Sequence, residues 1–328
     1  MSRRRSAARR AALIASALLL PLTACGTGAT DSGKPRAGAP APGFPYTVDN
    51  CGTRTTYQAP PERAVTMNQH VTEIMLALGL EKSLVGTAYL DDKILPRHEK
   101  AYRSIPVIAK EYPSKEKLLS VSPDFVYGGY GSAFEAKDGR TRAELAKSGI
   151  NTRLNLENCA KGRTTLDDVY REVDEIGRTF GVQDRARKWI AAARASVART
   201  TATGQGRPPI PVFVYDSGDK TAFTAGGRGM GNELITRAGG RNVFADLDKS
   251  FGDASWEEVV ARKPEVIVIY DYGSTPLEQK KRRLLDDPAL KDVPAIRNKK
   301  FAVLPLSDAV LGVRAPDAIA KLASQLAR

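Results

Sequence analysis

Tyrosines and polar side chains recur together where apolar segments of the sequence end. Five such loops follow predicted strands, and four of the five carry tyrosine. Aromatic rings offer a large, flat contact area with one polar edge, and ligands of α/β proteins bind beyond the carboxyl ends of the strands. These loops therefore predict a ligand site. Its predicted members are Asn68, Gln69, His70, Tyr89, Tyr127, Tyr130, Tyr215, Tyr270 and Tyr272.

Two arginines and a tryptophan are further candidates for this site. Arg228 lies in a glycine-rich segment just before a predicted helix, and Arg314 follows a predicted strand. A guanidinium in a cleft would bind a negatively charged ligand through two N–H donors. Trp256, at another predicted helix start, belongs either to the core or to the cleft. The glycine-rich segment lacks the Gly-Lys-Ser/Thr sequence of a phosphate loop.

The histidine content argues against a metal centre and against hydrolysis. The chain has only two histidines, His70 and His98. Bare zinc or manganese normally takes three or four histidine and carboxylate ligands. No Gly-x-Ser-x-Gly elbow is present, and neither histidine has an obvious nucleophilic partner. We therefore expect no catalytic residue, no resident cofactor and no metal site.

The first 25 residues have the pattern of an export signal with a lipidation site. Five arginines precede an apolar run at residues 11–20, which is shorter than the about 20 residues that span a bilayer. Leu22-Thr23-Ala24-Cys25 resembles the bacterial lipobox, which implies that residues 1–24 are removed and that Cys25 carries lipid. A plain secretory signal is the alternative, and the route, Sec or Tat, stays open. Residues 25–49 would then be a flexible tether.

The remaining cysteines and the net charge fit an extracytoplasmic location. With Cys25 lipidated, Cys51 and Cys159 are left in an oxidising compartment, where a disulfide is favoured; two isolated small hydrophobic residues are the alternative. Without the signal arginines the formal net charge falls from +13 to +8. Basic and acidic residues are interspersed, which indicates a solvated surface and not a nucleic-acid site.

The rest of the chain reads as two similar α/β lobes in tandem. Strands alternate with helices, which indicates parallel-rich sheets, and the order of strand, helix, glycine, short helix and strand occurs twice. Between the repeats, residues 184–202 form a long amphipathic helix that could brace both halves. The predicted boundaries are residues 50–182 for the first lobe, 183–206 for the bridging helix and turn, and 207–328 for the second lobe.

Several motifs in both halves resemble one family. Residues 61–65 (Pro-Glu-Arg-Ala-Val) and 72–80 look like the opening of the substrate-binding lipoproteins of iron-siderophore, haem and vitamin B12 ABC importers. Residues 232–235, 238–244 and 255–268 resemble the second lobe of the same proteins. The resemblance covers about residues 50–328. It implies two α/β lobes bridged by one rigid helix, with the ligand in the cleft between them.

The resemblance also implies partners and a role. The protein would be a monomer on the outer face of the cytoplasmic membrane, held there by its lipid alone. It would capture a metal chelate and deliver it to an importer permease with its ATPase. A ferric siderophore is the preferred candidate, and cobalamin and haem are the alternatives. A lipoprotein that senses a ligand is a further alternative. In this family a glutamate on each lobe docks onto the permease, and Glu73 and Glu233 match by motif and are expected to be exposed.

Overall fold

The computed structural model describes residues 41–159, 162–203 and 206–327. The predicted signal peptide, Cys25 and most of the predicted tether lie outside these residues. In the described part, no helix combines the length and the apolar character needed to cross a bilayer. The fold begins inside the predicted tether, with the antiparallel hairpin of β1 (Tyr46–Asn50) and β2 (Thr53–Tyr57). Tyr46 stacks on Tyr57 at 6.4 Å, so this segment is anchored by aromatic contact.

The first lobe is built on a five-stranded sheet whose paired strands all run parallel. Its strands are β3 (Ala64–Met67), β4 (Leu84–Ala88), β5 (Val107–Ala109), β6 (Phe125–Gly128) and β7 (Asn151–Leu154), in the order β5-β4-β3-β6-β7. Helices cover both faces, so β3 and β6 are buried along their whole length. The helices are α1 (Gln69–Ala77), α2 (Pro96–Tyr102), α3 (Lys115–Leu119) and α4 (Arg142–Lys147).

Two consecutive helices join the lobes. They are α5 (Leu166–Thr179) and α6 (Gln183–Thr203). Trp189 and Ile190 of α6 pack against the cores of both lobes, which confirms the predicted bridging helix. The amphipathic α5 also packs on both sides, with Val169 in the second core and Ile176 in the first. The junction is therefore a two-helix brace.

The second lobe repeats the plan with a four-stranded parallel sheet. Its elements are β8 (Ile210–Tyr215), β9 (Ala222–Ala225), α7 (Met230–Arg237), β10 (Gly240–Asn242), β11 (Phe251–Ala254), α8 (Trp256–Arg262), β12 (Val266–Asp271), α9 (Leu277–Leu285), α10 (Pro294–Arg297), β13 (Phe301–Pro305) and α11 (Ala315–Leu326). The sheet order is β10-β8-β12-β13. The strands β9 and β11 pair separately as an antiparallel ribbon, which the sequence analysis did not predict.

Four strands of the first sheet correspond to the four strands of the second, and β5 has no counterpart. β3 lies between β4 and β6, as β8 lies between β10 and β12. The helices that precede β6 and β12, α3 and α8, correspond as well. In the first sheet the strand after β3 lies on one side of it and β6 lies on the other, and in the second sheet β10 and β12 lie on opposite sides of β8. The connections therefore leave in opposite directions, so a crevice opens at the carboxyl ends of β3 and β6 and of β8 and β12. The predicted fold class, two similar α/β lobes in tandem, is confirmed.

Candidate functional site

The crevice of the first lobe is formed by the loops after β3 and β6. The backbone N–H of Asn68 donates to the Ala88 carbonyl at 3.0 Å, and that of Gly129 donates to the Met67 carbonyl at 2.9 Å. A Cβ on Gly129 would lie 2.5 Å from Cε1 of His70 and 2.8 Å from Cβ of Asn68. Only glycine lets the two loops approach this closely.

Four half-buried tyrosines surround this crevice. Tyr89 and Tyr112 pack edge to face at 4.5 Å, and the ring of Tyr130 lies 5.0 Å from that of His70. Tyr272 comes from the second lobe. Burial raises the pKa of its hydroxyl, then Asp216 raises it, and Asp91 and Tyr89 of the first lobe add smaller effects in the same direction. Residues of both lobes therefore face one another across one space.

Buried polar atoms without a partner cluster beside these rings. They are Nδ2 of Asn68, Oε1 of Gln69, Nδ1 of His70 and Oδ1 of Asp91. Asn68, Gln69 and His70 are almost wholly buried, and Oδ1 of Asn68 already accepts from the Tyr112 hydroxyl at 3.0 Å. An unsatisfied buried polar group costs about 1–3 kcal/mol. Polar atoms whose hydrogen bonding is incomplete are thus concentrated in the wall of the crevice.

The titratable groups of the crevice are shifted towards their neutral forms. Burial lowers the pKa of His70 to about 4 and outweighs the opposite effect of its hydrogen bond to the Gly129 carbonyl. Burial also raises the pKa of Asp91 to about 6. In the second lobe, Asp216 accepts from the Tyr272 hydroxyl at 2.8 Å, and Nζ of Lys280 donates to the Asp216 carbonyl at 2.7 Å. At neutral pH the histidine is uncharged.

A cavity of about 460 Å³ adjoins this cluster between the lobes. Tyr130 and Glu157 line it from the first lobe, and Arg228 and Phe251 from the second. Arg228 donates to Oδ2 of Asp248 at 2.8 Å, so the guanidinium is paired within its own lobe. Glu157 accepts from the backbone N–H groups of two residues of the second lobe, Met230 at 2.8 Å and Leu311 at 2.7 Å.

Four of the predicted aromatic site residues lie in the core instead. Tyr127 is fully buried with its hydroxyl bonded to Glu172, and Tyr270 is 1% exposed within the core of the second lobe. Tyr215 donates to the Gly218 carbonyl, and its ring packs on Trp256 at 5.9 Å. The Trp256 indole donates to the Asp219 carbonyl at 2.8 Å. The structure therefore places the three tyrosines in the packed layers and not in the cleft, and for Trp256 it agrees with the core alternative.

Arg314 and Glu73 form one buried ion pair. Arg314 donates to Oε2 of Glu73 at 2.6 Å and to Oε1 at 2.8 Å, and to Asp308 at 3.2 Å. The Glu73 side chain has no exposed surface. Gln69 of the same helix also donates to Oε1 of Glu73 at 3.0 Å. The predicted exposure of Glu73 is therefore wrong, because the C-terminal segment covers α1. The guanidinium of Arg314, a predicted ligand contact, is occupied by this ion pair.

Glu233 is also less accessible than expected. Its side chain is 13% exposed and is held by Arg237 at 2.9 Å on the same helix. Its Oε1 lies 3.5 Å from the backbone N–H of Leu166, at the start of α5. A carboxylate packed against the brace in this way is poorly placed to meet another protein.

The structure joins Cys51 to Cys159, as the cysteine pairing predicts. The two Cα atoms are 5.0 Å apart. The bond connects the turn of the β1–β2 hairpin to the loop after β7, which carries Glu157 and Asn158. Asn158 donates to the Gly129 carbonyl at 2.6 Å. The disulfide therefore restrains a loop that lines the interlobe cavity.

Three residues of the site were not predicted from the sequence. Tyr112 follows β5, a strand of three residues with no readable pattern. Asp91 comes two residues after Tyr89, in a loop that was identified only by its tyrosine. Glu157 lies after β7. All three follow the rule that loops at the carboxyl ends of strands form the site.

Comparison with known proteins decides the family. The sequence pattern of the periplasmic binding protein family matches residues 65–307. The chain belongs to this family. Its members bind substrates and are not enzymes, in agreement with the sequence analysis.

The vitamin B12-binding protein of Photorhabdus laumondii is 24% identical over 212 residues, 64% of this chain and 71% of the relative. An uncharacterized ABC transporter substrate-binding lipoprotein of Bacillus subtilis is 25% identical over 268 residues, 80% of this chain and 79% of the relative.

Solved structures of the same family share the fold. A periplasmic binding protein from Veillonella parvula superimposes with a TM-score of 0.80 at 30% identity, covering 86% of this chain and 97% of its own. An ABC-type Fe3+-hydroxamate transport protein from Saccharomonospora viridis has a TM-score of 0.75 at 27% identity, covering 87% and 100%. This periplasmic binding protein therefore has the family fold over nearly all of its described residues.

Proposed function

We propose that this protein captures a metal chelate outside the cytoplasmic membrane and delivers it to the permease of an ABC importer. The observation that carries the proposal is the group of tyrosines Tyr89, Tyr112, Tyr130 and Tyr272, which come from both lobes and lie near buried polar atoms without partners. Rings with polar edges suit a ligand that has apolar and oxygen-rich faces. A ferric siderophore leads, and cobalamin and haem are the competing chelates.

The names of the relatives support the same range of ligands. The Photorhabdus relative is named for vitamin B12, and the Saccharomonospora structure for Fe3+-hydroxamate. Both ligands are chelates with a large apolar surface. The greater identity and coverage of the hydroxamate protein favour a ferric siderophore.

A binding panel tests the ligand class. The purified protein is titrated by calorimetry with ferric trihydroxamates, cyanocobalamin and haem, and native mass spectrometry gives the stoichiometry. Tyr130→Ala and Tyr272→Ala should each raise the dissociation constant of the chelate by roughly tenfold, because each removes aromatic contact worth about 1 kcal/mol or more. Tyr127→Phe, a core residue, is the matched control and should bind normally. Equal affinity in all three variants would place the ligand elsewhere.

Docking on the permease requires a different pair of acids from the pair that the motif indicated. Glu116 and Glu257 stand at equivalent positions, two residues after the N-cap serines of the corresponding helices α3 and α8. Both glutamates are exposed. A family that docks by one glutamate on each lobe would find them presented at matching places. We propose them as the contacts with the permease.

Charge reversal separates docking from binding. Glu116→Arg with Glu257→Arg should abolish chelate uptake in cells and leave the dissociation constant for the chelate unchanged, because like charges at a docking rim are repulsive. Glu99→Arg with Glu278→Arg, exposed acids on α2 and α9, is the control pair. Normal uptake in the test pair at equal protein level would exclude this docking surface.

The lipid anchor at Cys25 is part of the same proposal. Labelled fatty acid should enter the wild-type protein, and Cys25→Ala should release the protein into the medium. Membrane retention of the alanine variant with unchanged mobility would contradict lipidation.

A further inference from the structure

The charges around the tyrosines indicate which net charge the ligand has. This inference rests on the proposed function. Three carboxylates face the space between the lobes: Asp91, Glu157 and Asp216. Asp216 accepts from the Tyr272 hydroxyl at 2.8 Å, and Glu157 lines the interlobe cavity together with Tyr130. Beyond the larger effect of burial, Asp91 is near enough to raise the pKa of both tyrosine hydroxyls. Oδ1 of Asp91 has no partner. The inner wall is therefore acidic.

Among the described residues, the cations inside the cleft are already engaged. Arg228 is paired with Asp248, and Arg314 with Glu73 and Asp308. Nζ of Lys280 donates to two backbone carbonyls and lies 4.7 Å from the centre of the Tyr272 ring. Arg140, beyond Tyr112, donates to Asp138 at 2.6 Å. Lys249 lines the cavity from its exposed rim.

Tyrosine faces together with carboxylates form an environment that favours positive charge. Aromatic rings attract cations through the negative potential of their faces, and this attraction strengthens where water is excluded. A ligand with several negative charges would instead meet Asp91 and Glu157 with no free cation inside the described part of the cleft. Bringing like charges together there is unfavourable.

We propose that the cleft selects a neutral or positively charged chelate and rejects an anionic one. This reverses the sequence-based expectation that Arg228 and Arg314 receive a negatively charged ligand. Ferric trihydroxamates, which are neutral or carry a pendant ammonium, fit this selection. Haem with its two propionates and ferric triscatecholates do not.

A series of chelates that differ only in charge tests this selection. The probes are ferrioxamine B, with a pendant ammonium, its N-acetyl derivative, which is neutral, and its N-succinyl derivative, which is anionic. A second series on a corrinoid scaffold uses aquacobalamin, cyanocobalamin and a cyanocobalamin monocarboxylate. On whichever scaffold binds, affinity should fall roughly three- to tenfold from the neutral to the anionic member, and the cationic member should bind at least as tightly as the neutral one.

A variant identifies the residue responsible. Asp91→Asn should reduce the preference for the cationic over the anionic probe by roughly three- to tenfold. Asp184→Asn, an exposed acid on α6, is the control and should keep the wild-type preference. Tightest binding by an anionic probe, including haem, would overturn the charge selection while leaving the binding function intact. Failure of all three scaffolds to bind would overturn the proposed function and this inference with it.

Discussion

At the scale of single residues, the site combines two buried titratable groups whose pKa values move in opposite directions. Burial lowers the pKa of His70 to about 4 and raises that of Asp91 to about 6, because burial disfavours charge. At pH 7 the histidine is therefore neutral, whereas Asp91 is still charged. Both lie in the first lobe at the floor of the crevice. Their protonation is therefore linked to folding with opposite signs.

The two groups should offset one another in mildly acidic solution. The folded pKa of His70, about 4, lies below its unfolded value of 6.5, so the stability it contributes is present above pH 6.5 and is lost as the pH falls towards 4. The folded pKa of Asp91, about 6, lies above its unfolded value of 3.8, so its destabilising effect is relieved as the pH falls over nearly the same range.

Single substitutions should expose each contribution. At pH 7, Asp91→Asn should raise the free energy of unfolding by about 3 kcal/mol, and most of the gain should be lost near pH 4. His70→Gln should become more stable relative to wild type as the pH falls from 6.5 to 4. Urea denaturation at several pH values measures both differences. A pH-independent difference for either variant would show that its group does not titrate as inferred.

At the scale of secondary-structure elements, α1 and the segment before α11 are joined through Glu73 and Arg314. The pair links residues that are 241 positions apart and is almost completely buried. Buried ion pairs contribute little net stability as pairs, but removal of one partner leaves a buried charge uncompensated. Arg314 also forms ion pairs with Asp92 and Asp308, so Arg314 and Glu73 are not equivalent partners.

This asymmetry predicts unequal costs. Arg314→Met leaves Glu73 and Asp92 without their cation, while Asp308 keeps Lys321 at 3.6 Å. It should lower the free energy of unfolding by about 3–5 kcal/mol. Glu73→Gln should cost less, because Arg314 keeps Asp308. Combining Glu73→Leu with Arg314→Met should recover part of the loss. With Glu73→Leu as the second single variant, a double-mutant cycle in urea measures the coupling, and additive effects of Glu73→Leu and Arg314→Met would contradict it.

The disulfide is a second link between elements. It closes a loop of 108 residues, for which the chain-entropy relation gives a stabilisation of up to about 5 kcal/mol. Cys51→Ser with Cys159→Ser should therefore lower the unfolding midpoint and weaken chelate binding, because Glu157 and Asn158 lie in the restrained loop. Thiol counting on denatured, unreduced protein is the direct check. Two reactive thiols in exported protein would show that the bond does not form.

Features that are set by neighbouring residues could be predicted from the sequence, and features that depend on distant residues could not. The bridging helix was readable because its apolar residues recur at helical spacing. Tyr127 and Tyr270 were misplaced because both lie inside their strands, whereas Tyr130 and Tyr272 come three and two residues later and lie beyond the strand ends. Glu73 was misplaced because helical periodicity cannot reveal a cover supplied by Arg314, far along the chain.

At the scale of the whole molecule, the lobes are connected by more than their covalent link. Glu157 caps two backbone N–H groups of the opposite lobe, Glu73 meets Arg314, and both α5 and α6 pack on both cores. A large hinge rotation of one lobe against the other needs an interlobe interface that can separate freely. Here separation would expose buried charges.

The molecule should therefore change little in overall dimensions when the chelate binds. A compact chain of this size has a radius of gyration of about 19 Å, and small-angle scattering should give the same value, within error, with and without ligand. The Glu157→Gln variant, with its interlobe caps weakened, should show a larger difference. A clear contraction of the wild-type protein would indicate a wide opening that these contacts do not permit.

Trp189 gives this junction its own optical reporter. The chain has two tryptophans, Trp189 on the brace in contact with both cores and Trp256 within the second lobe. In a Trp256→Phe variant, all indole emission comes from the junction. The emission wavelength and lifetime would then follow the lobes' relative position without an added dye. The joint that resists motion is thus also the place where any residual motion can be seen in fluorescence.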